Sequence, residues 1–66
     1  MKLTVNGETH EHQGDGTINA LLKELSAKPA HTALMRNGKV VPSNEWETPI
    51  LNENDDIEML VFVGGG

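Results

Sequence analysis

Asp55-Asp56-Ile57-Glu58-Met59-Leu60-Val61-Phe62-Val63 is apolar on both sides of an extended backbone. Side chains alternate along a strand, so Ile57, Met59, Val61 and Val63 share one side and Glu58, Leu60 and Phe62 the other. A strand of that kind belongs in the middle of a sheet, with a helix across one side. Asn52-Glu53-Asn54-Asp55 supplies turn chemistry ahead of it. After it come only Gly64-Gly65-Gly66.

The upstream segments provide the neighbours. Met1 to Asn6 alternates, with Met1, Leu3 and Val5 on one side, which predicts a half-buried strand. Asn6-Gly7 is a type I′ hairpin signal, because both residues tolerate positive φ. It leads into a second strand, roughly Glu8 to Gln13, whose polar composition marks an edge. Gly14-Asp15-Gly16 breaks it. Thr17 can then cap a helix by accepting a hydrogen bond from a first-turn amide. Ile18, Leu21, Leu22 and Leu25 have the i, i+3, i+4, i+7 spacing of a buried stripe. Pro29 is expected to end the helix, since the residue before a proline is driven out of helical geometry. Thr32 to Arg36, a second Asn-Gly at Asn37-Gly38, and Lys39-Val40-Val41 read as another hairpin, closed by Pro42. Ser43 to Glu47 reads as one helical turn with Trp46 packed inward.

The order is hairpin, helix, hairpin, turn, strand. Setting the last strand beside the first makes a parallel pair in a mixed sheet of about five strands. That is an α+β, ubiquitin-like β-grasp with one main helix on one face. The expected division is a β-grasp domain over 1–63 and a flexible glycine tail over 64–66.

Sixty-six residues make one small domain, which buries only about 60% of its unfolded surface and leaves little room for an enclosed active site. No cysteine is present, so disulfides, thiolate metal sites and cysteine nucleophiles are excluded. A net charge of −5 argues against nucleic acid as a partner, because no basic patch exists to neutralise phosphates. No stretch has the length and apolarity of a membrane span. A soluble, cytoplasmic protein is expected.

Glycine is the residue most costly to hold still. A triple glycine directly after an apolar strand therefore has no packing rationale, and it suits a thin peptide that threads into a narrow cleft and presents its terminal carboxylate. Asn37-Gly38-Lys39-Val40-Val41-Pro42, Trp46 four residues later and the terminal glycines together resemble the ThiS family of ubiquitin-like sulfur carriers in thiamine biosynthesis. Weaker matches are Met1 to Gly7 and Thr17 to Leu22, so the resemblance spans the chain. It implies that Gly65 and Gly66 are the family's diglycine, with Gly64 extending the threading tail. It also implies that a ThiF-like adenylating enzyme attaches AMP from ATP to the Gly66 carboxylate. A sulfur donor, ultimately a cysteine desulfurase, then leaves a thiocarboxylate that a ThiG-like thiazole synthase receives. With no side-chain thiol present, that carboxyl group is where sulfur would be held. The carrier is not an enzyme and binds no cofactor on this reading. Two related readings stay open, a small subunit of molybdopterin synthase and a ubiquitin-like protein modifier, and beside them an interaction module with an inert tail.

Other residues admit plainer readings. Leu60 and Phe62, if they face away from the helix, form a docking patch for partner enzymes; otherwise Phe62 is ordinary core. His10 and His12 share a side of their strand, but a metal site needs a third ligand, so they are expected to be solvated histidines with no metal. His31 is expected to be exposed. Glu53, Asp55, Asp56 and Glu58 are expected to form a solvated acidic turn, with docking to a basic partner as the alternative. Trp46 is expected to be a packing anchor.

Overall fold

The computed structural model describes residues 1–62. The expected continuation of the last strand to Val63 and the tail Gly64, Gly65 and Gly66 lie outside the described residues. Five strands form one mixed sheet: β1 (Lys2–Val5), β2 (Glu8–Glu11), β3 (Thr32–Arg36), β4 (Lys39–Val40) and β5 (Asp56–Val61). A single α-helix, α1 (Ile18–Glu24), connects the two hairpins. The strand order is β2-β1-β5-β3-β4. β5 runs parallel to β1 and antiparallel to β3. The last strand in sequence is thus the middle one in space, and the β-grasp expectation holds.

Both hairpins turn where the Asn-Gly pairs predict. Asn6 and Gly7 have φ of 50° and 84°, and Asn37 and Gly38 have 52° and 84°, the left-handed pair that a type I′ turn requires. The two asparagines also grip the central strand. Asn6 Oδ1 accepts from Met59 N–H at 2.8 Å, and its Nδ2 donates to Met59 O at 3.3 Å. The side-chain amide so extends a parallel ladder whose paired residues are only Thr4–Asp56 and Val5–Ile57. On the other flank, Asn37 Oδ1 accepts from Asp56 N–H at 2.9 Å.

α1 begins as predicted, with the Ala20 N–H donating to Thr17 Oγ1 at 3.1 Å. Its end differs from the expectation. The helix stops at Glu24, well before Pro29, because Ser26 takes a left-handed φ of 58°. The Ala27 N–H then reaches Leu22 O at 2.9 Å and the Ser26 N–H reaches Lys23 O at 3.2 Å. This is a Schellman termination built on serine rather than glycine. Pro29 instead opens a short 3-10 turn, Pro29–His31, that delivers the chain into β3. A second such turn, Ser43–Glu45, precedes Trp46. The Trp46 indole N–H donates to Val41 O at 2.9 Å, and the ring is buried as expected.

The core lies between α1 and one face of the sheet. Leu3, Ile18, Leu21, Leu22, Leu34 and Ile57 are fully buried there, and Leu25 and Met59 pack against its margin. Among the described residues no helix is long and apolar enough to cross a membrane. Leu21→Ala should cost about 2–5 kcal/mol, the usual range for a buried leucine truncated in a core that cannot collapse. Urea unfolding followed by circular dichroism checks this, and a loss below about 1 kcal/mol would contradict the packing described.

Candidate functional site

The site suggested by sequence is the root of the tail with its flanking apolar residues. β5 leads to it under tight control. Val61 pairs with Thr32, and the Phe62 N–H donates to His31 O at 2.7 Å. Both residues singled out for docking are exposed, Leu60 at 67% and Phe62 at 59%. Phe62 is therefore not core. They serve different surfaces, however. Leu60 pairs across the sheet with Ala33, and Met35 pairs with Val40, so these four share the face opposite α1. Phe62 lies instead beside Val61, Met59 and Leu25, at the C-terminal end of the helix.

The second surface follows from a length mismatch. Seven helical residues span about 10 Å, whereas six strand residues span about 20 Å. α1 cannot cover all of β5, and Val61 stays 49% exposed although its side of the strand is the core side. The sequence carried that signal, since the helical stripe ends at Leu25 while the strand's apolar run continues to Val63. Comparing the two lengths would have found Val61 beforehand.

Two polar clusters beside the core depart from expectation. His12 is 3% exposed rather than solvated. Gly16 N–H donates to its Nε2 at 3.0 Å, so Nδ1 carries the proton and donates to Glu24 Oε1 at 2.9 Å. His10, half-buried, bonds the same oxygen through Nε2 at 2.8 Å, and the Gln13 N–H donates to Glu24 Oε2 at 2.7 Å. Both imidazoles are committed to one carboxylate, and together they tie β2 to α1. This inward turn explains why β2 ends at Glu11 rather than Gln13. It also gives Gly14 a steric role, because a Cβ there would meet Ala20 Cβ at 2.7 Å and His12 Cε1 at 2.8 Å. Burial pushes the Glu24 carboxyl up, but the bonds from His10, His12 and Gln13 outweigh it and hold the group down at about 2. His31 is exposed, as expected.

Asp55 is the second departure. It is 7% exposed, not part of a solvated turn. Its carboxylate accepts from Arg36 Nε at 2.6 Å, Asn37 Nδ2 at 3.0 Å and Asn52 N–H at 2.9 Å. Burial raises its pKa, and the bonds from Asn37 and Arg36 more than reverse that, so the carboxyl sits below its ordinary value. Glu53, Asp56 and Glu58 are exposed, as expected, and Glu53 also accepts from the Lys2 N–H. What is left of the expected acidic cluster faces solvent beside Leu60.

Comparison with known proteins now supplies the class. The ThiS family model matches residues 3–66, and the chain belongs to the ThiS family. The crystal structure of the thiamine biosynthesis protein ThiS from Geobacter metallireducens superposes with a TM-score of 0.78 at 30% identity, covering all of both chains. The sulfur carrier protein ThiS of Escherichia coli is 27% identical over the full length of each. Two proteins named thiazole synthase also match the whole chain, from Paramagnetospirillum magneticum at 36% identity and Magnetococcus marinus at 38%. The chain spans only 20% of the length of those two.

The Glu24 cluster makes stability depend on acid in a defined direction. Because the folded carboxyl titrates at about 2 against an ordinary 4.5, its contribution is complete above the ordinary value and disappears as pH falls from there toward 2. Glu24→Gln should be less stable than the wild type at pH 7, with the gap closing between pH 5 and pH 2. Urea midpoints measured across that range are the check, and a gap independent of pH would refute the assignment.

Proposed function

We propose that this chain is the sulfur carrier of thiamine biosynthesis and that the Gly66 carboxyl group is where the sulfur is held. The observation that carries the reading is that the family match runs through Gly64, Gly65 and Gly66 rather than stopping with the folded body. The chemistry agrees with the residues present. A carboxylate is a poor electrophile until it bears a good leaving group, and transfer of AMP from ATP supplies one. A ThiF-like adenylating enzyme performs that step and uses the ATP. A sulfur donor, such as the persulfide of a cysteine desulfurase, then displaces AMP to form an acyl disulfide, and a thiol reductant cleaves its S–S bond, taking the donor sulfur into a disulfide and leaving the thiocarboxylate. The sulfur becomes nucleophilic in its anionic form, as thiolates are. The carrier contributes no catalytic side chain; it presents the tail, in the cytoplasm, from a rigid sheet.

Thiazole synthase is the receiving enzyme on this reading. Support comes from the two thiazole synthases in which a stretch like this whole chain is covalently part of the protein. Joining a carrier to its acceptor makes their encounter intramolecular and raises the effective concentration. The relatives are named for thiamine and thiazole chemistry, which favours this reading over a molybdopterin-synthase subunit or a protein modifier. Gly64 and Gly65 thread the acceptor cleft, where any side chain would widen the peptide. Leu60 and Phe62 are the exposed apolar residues placed to dock the partners.

Incubation with the adenylating enzyme, ATP and a sulfur donor should raise the intact mass of the chain by the exchange of one oxygen for sulfur, localised to Gly66. Deleting Gly66 should abolish that gain while the circular dichroism spectrum is retained. A mass gain that persists without Gly66 would refute the assignment. Leu60→Asp should fold normally, being exposed, and should weaken binding to thiazole synthase by roughly 5- to 30-fold, as expected for a central apolar contact. Isothermal titration reads this directly, and unaltered affinity would remove Leu60 from the interface.

A further inference from the structure

Asn6-Gly7 and Asn37-Gly38 are the two places where an asparagine precedes a residue without a side chain. The asparagine amide is chemically labile, most of all there, because nothing shields the next backbone nitrogen. Once deprotonated, that nitrogen attacks the side-chain Cγ; the Cγ–Nδ2 bond breaks, and Nδ2 leaves as ammonia with a proton from water. Water then opens the cyclic imide at either carbonyl, giving aspartate or its β-linked isomer. The net change is water in and ammonia out, with no oxidant or reductant. Both turns are exposed, and a Cβ at Gly7 or Gly38 would meet nothing within 4 Å. Water and hydroxide therefore reach both.

The fold nevertheless treats the two sites differently. Asn37 Nδ2 donates to Asp55 Oδ1 at 3.0 Å, and that carboxylate belongs to a residue only 7% exposed. Asn37 Oδ1 accepts from Asp56 N–H at 2.9 Å, and the Asn37 N–H donates to Asp56 O at 2.7 Å. Ring closure expels Nδ2 and so removes a donor from a desolvated charge, which is costlier than losing a bond between neutral groups. Asn6 Nδ2, by contrast, donates at 3.3 Å to a neutral carbonyl, Met59 O. Its departure strands no charge.

The products differ as well. Aspartate at position 37 sets a carboxylate oxygen where Nδ2 stood, with no hydrogen between it and Asp55. Two carboxylates that close resist joint ionisation. Arg36 on β3 is already bonded to Asp55 through Nε, whereas Lys39 on β4 and Asp56 on β5 are exposed. The β-linked isomer adds a carbon to the main chain inside a two-residue turn, against the register of Met35–Val40 and Arg36–Lys39.

We propose that Asn37-Gly38 is a site of spontaneous deamidation that folding closes and unfolding opens, and whose acidic product loosens the second hairpin from β5. The chain thereby keeps a chemical record of time spent unfolded. The record does not depend on the sulfur-carrier reading.

The test is peptide mass spectrometry of the wild-type chain held in mildly alkaline buffer, with and without guanidinium chloride. In denaturant both asparagines should convert at similar rates. In the folded protein Asn37 should convert more slowly than in denaturant by about ten- to a hundredfold, the factor that one hydrogen bond to a charged group supplies, and more slowly than Asn6. An Asn37 rate that is the same with and without denaturant, or that exceeds the Asn6 rate in the folded protein, would overturn the proposal. This comparison needs no variant to fold. For the product, Asn37→Asp should lower the urea midpoint at pH 7 more than Asn6→Asp does. Like charge raises the pKa of the new carboxyl in the folded state, so the deficit is complete at neutral pH and narrows toward about pH 4 as the pair takes up a proton. Wild-type stability in Asn37→Asp, or a deficit independent of pH, would overturn the assigned consequence.

Discussion

The position of β5 between β1 and β3 is the constraint on which the remaining structure depends. A parallel pair needs a crossover, and α1 supplies it while covering one face of the sheet. The pairing with β1 is short, with only Thr4 and Val5 aligned to Asp56 and Ile57. It holds because the Asn6 amide adds a further pair of hydrogen bonds at Met59 and Asn37 secures the opposite flank at Asp56. The asparagines thus do two jobs at once. Each lets the backbone turn at positive φ, and each ties its hairpin to the strand that both hairpins flank.

A domain this small has a thin apolar core, and the polar clusters beside it compensate through complete hydrogen bonding. His12 and Asp55 are buried, yet among the described residues no buried side-chain polar atom lacks a partner. Glu24 serves β2 and the loop before the helix, while Asp55 serves the second hairpin and the turn into β5. Satisfied networks of this kind specify one arrangement, because any alternative packing strands a desolvated polar group. They stand away from the Leu60 face, which leaves the exposed apolar residues free of a structural duty.

What the sequence made legible was local or periodic. Thr32–Arg36 is a strand with the predicted bounds, both Asn-Gly turns form, and Thr17 caps the helix, since each depends on neighbours a few residues away. The central place of β5 was also readable, because a strand apolar on both sides has few other positions. The errors involve contacts between distant residues. His12 meets Glu24 twelve positions on, and Asp55 meets Arg36 nineteen positions back; composition alone suggested solvated charge in both places. Pro29 predicts the end of the helix, but the left-handed Ser26 turn ends it first, a conformation that a non-glycine residue seldom advertises. At the tail root, the exposure of Leu60 and Phe62 fits their alternation, whereas their separation onto two surfaces depends on where the helix stops.

The strand that is made last occupies the middle of the sheet, which has a consequence for biosynthesis. Until residues 56–61 leave the ribosome, the two hairpins have no common neighbour, and a contact linking the first and last strands is slow to form. A half-made or misfolded chain therefore lacks the central strand on which Leu60 is carried. Closing of the sheet and presentation of the exposed Leu60 become one event, so that face is displayed only by molecules that have already passed their own folding inspection.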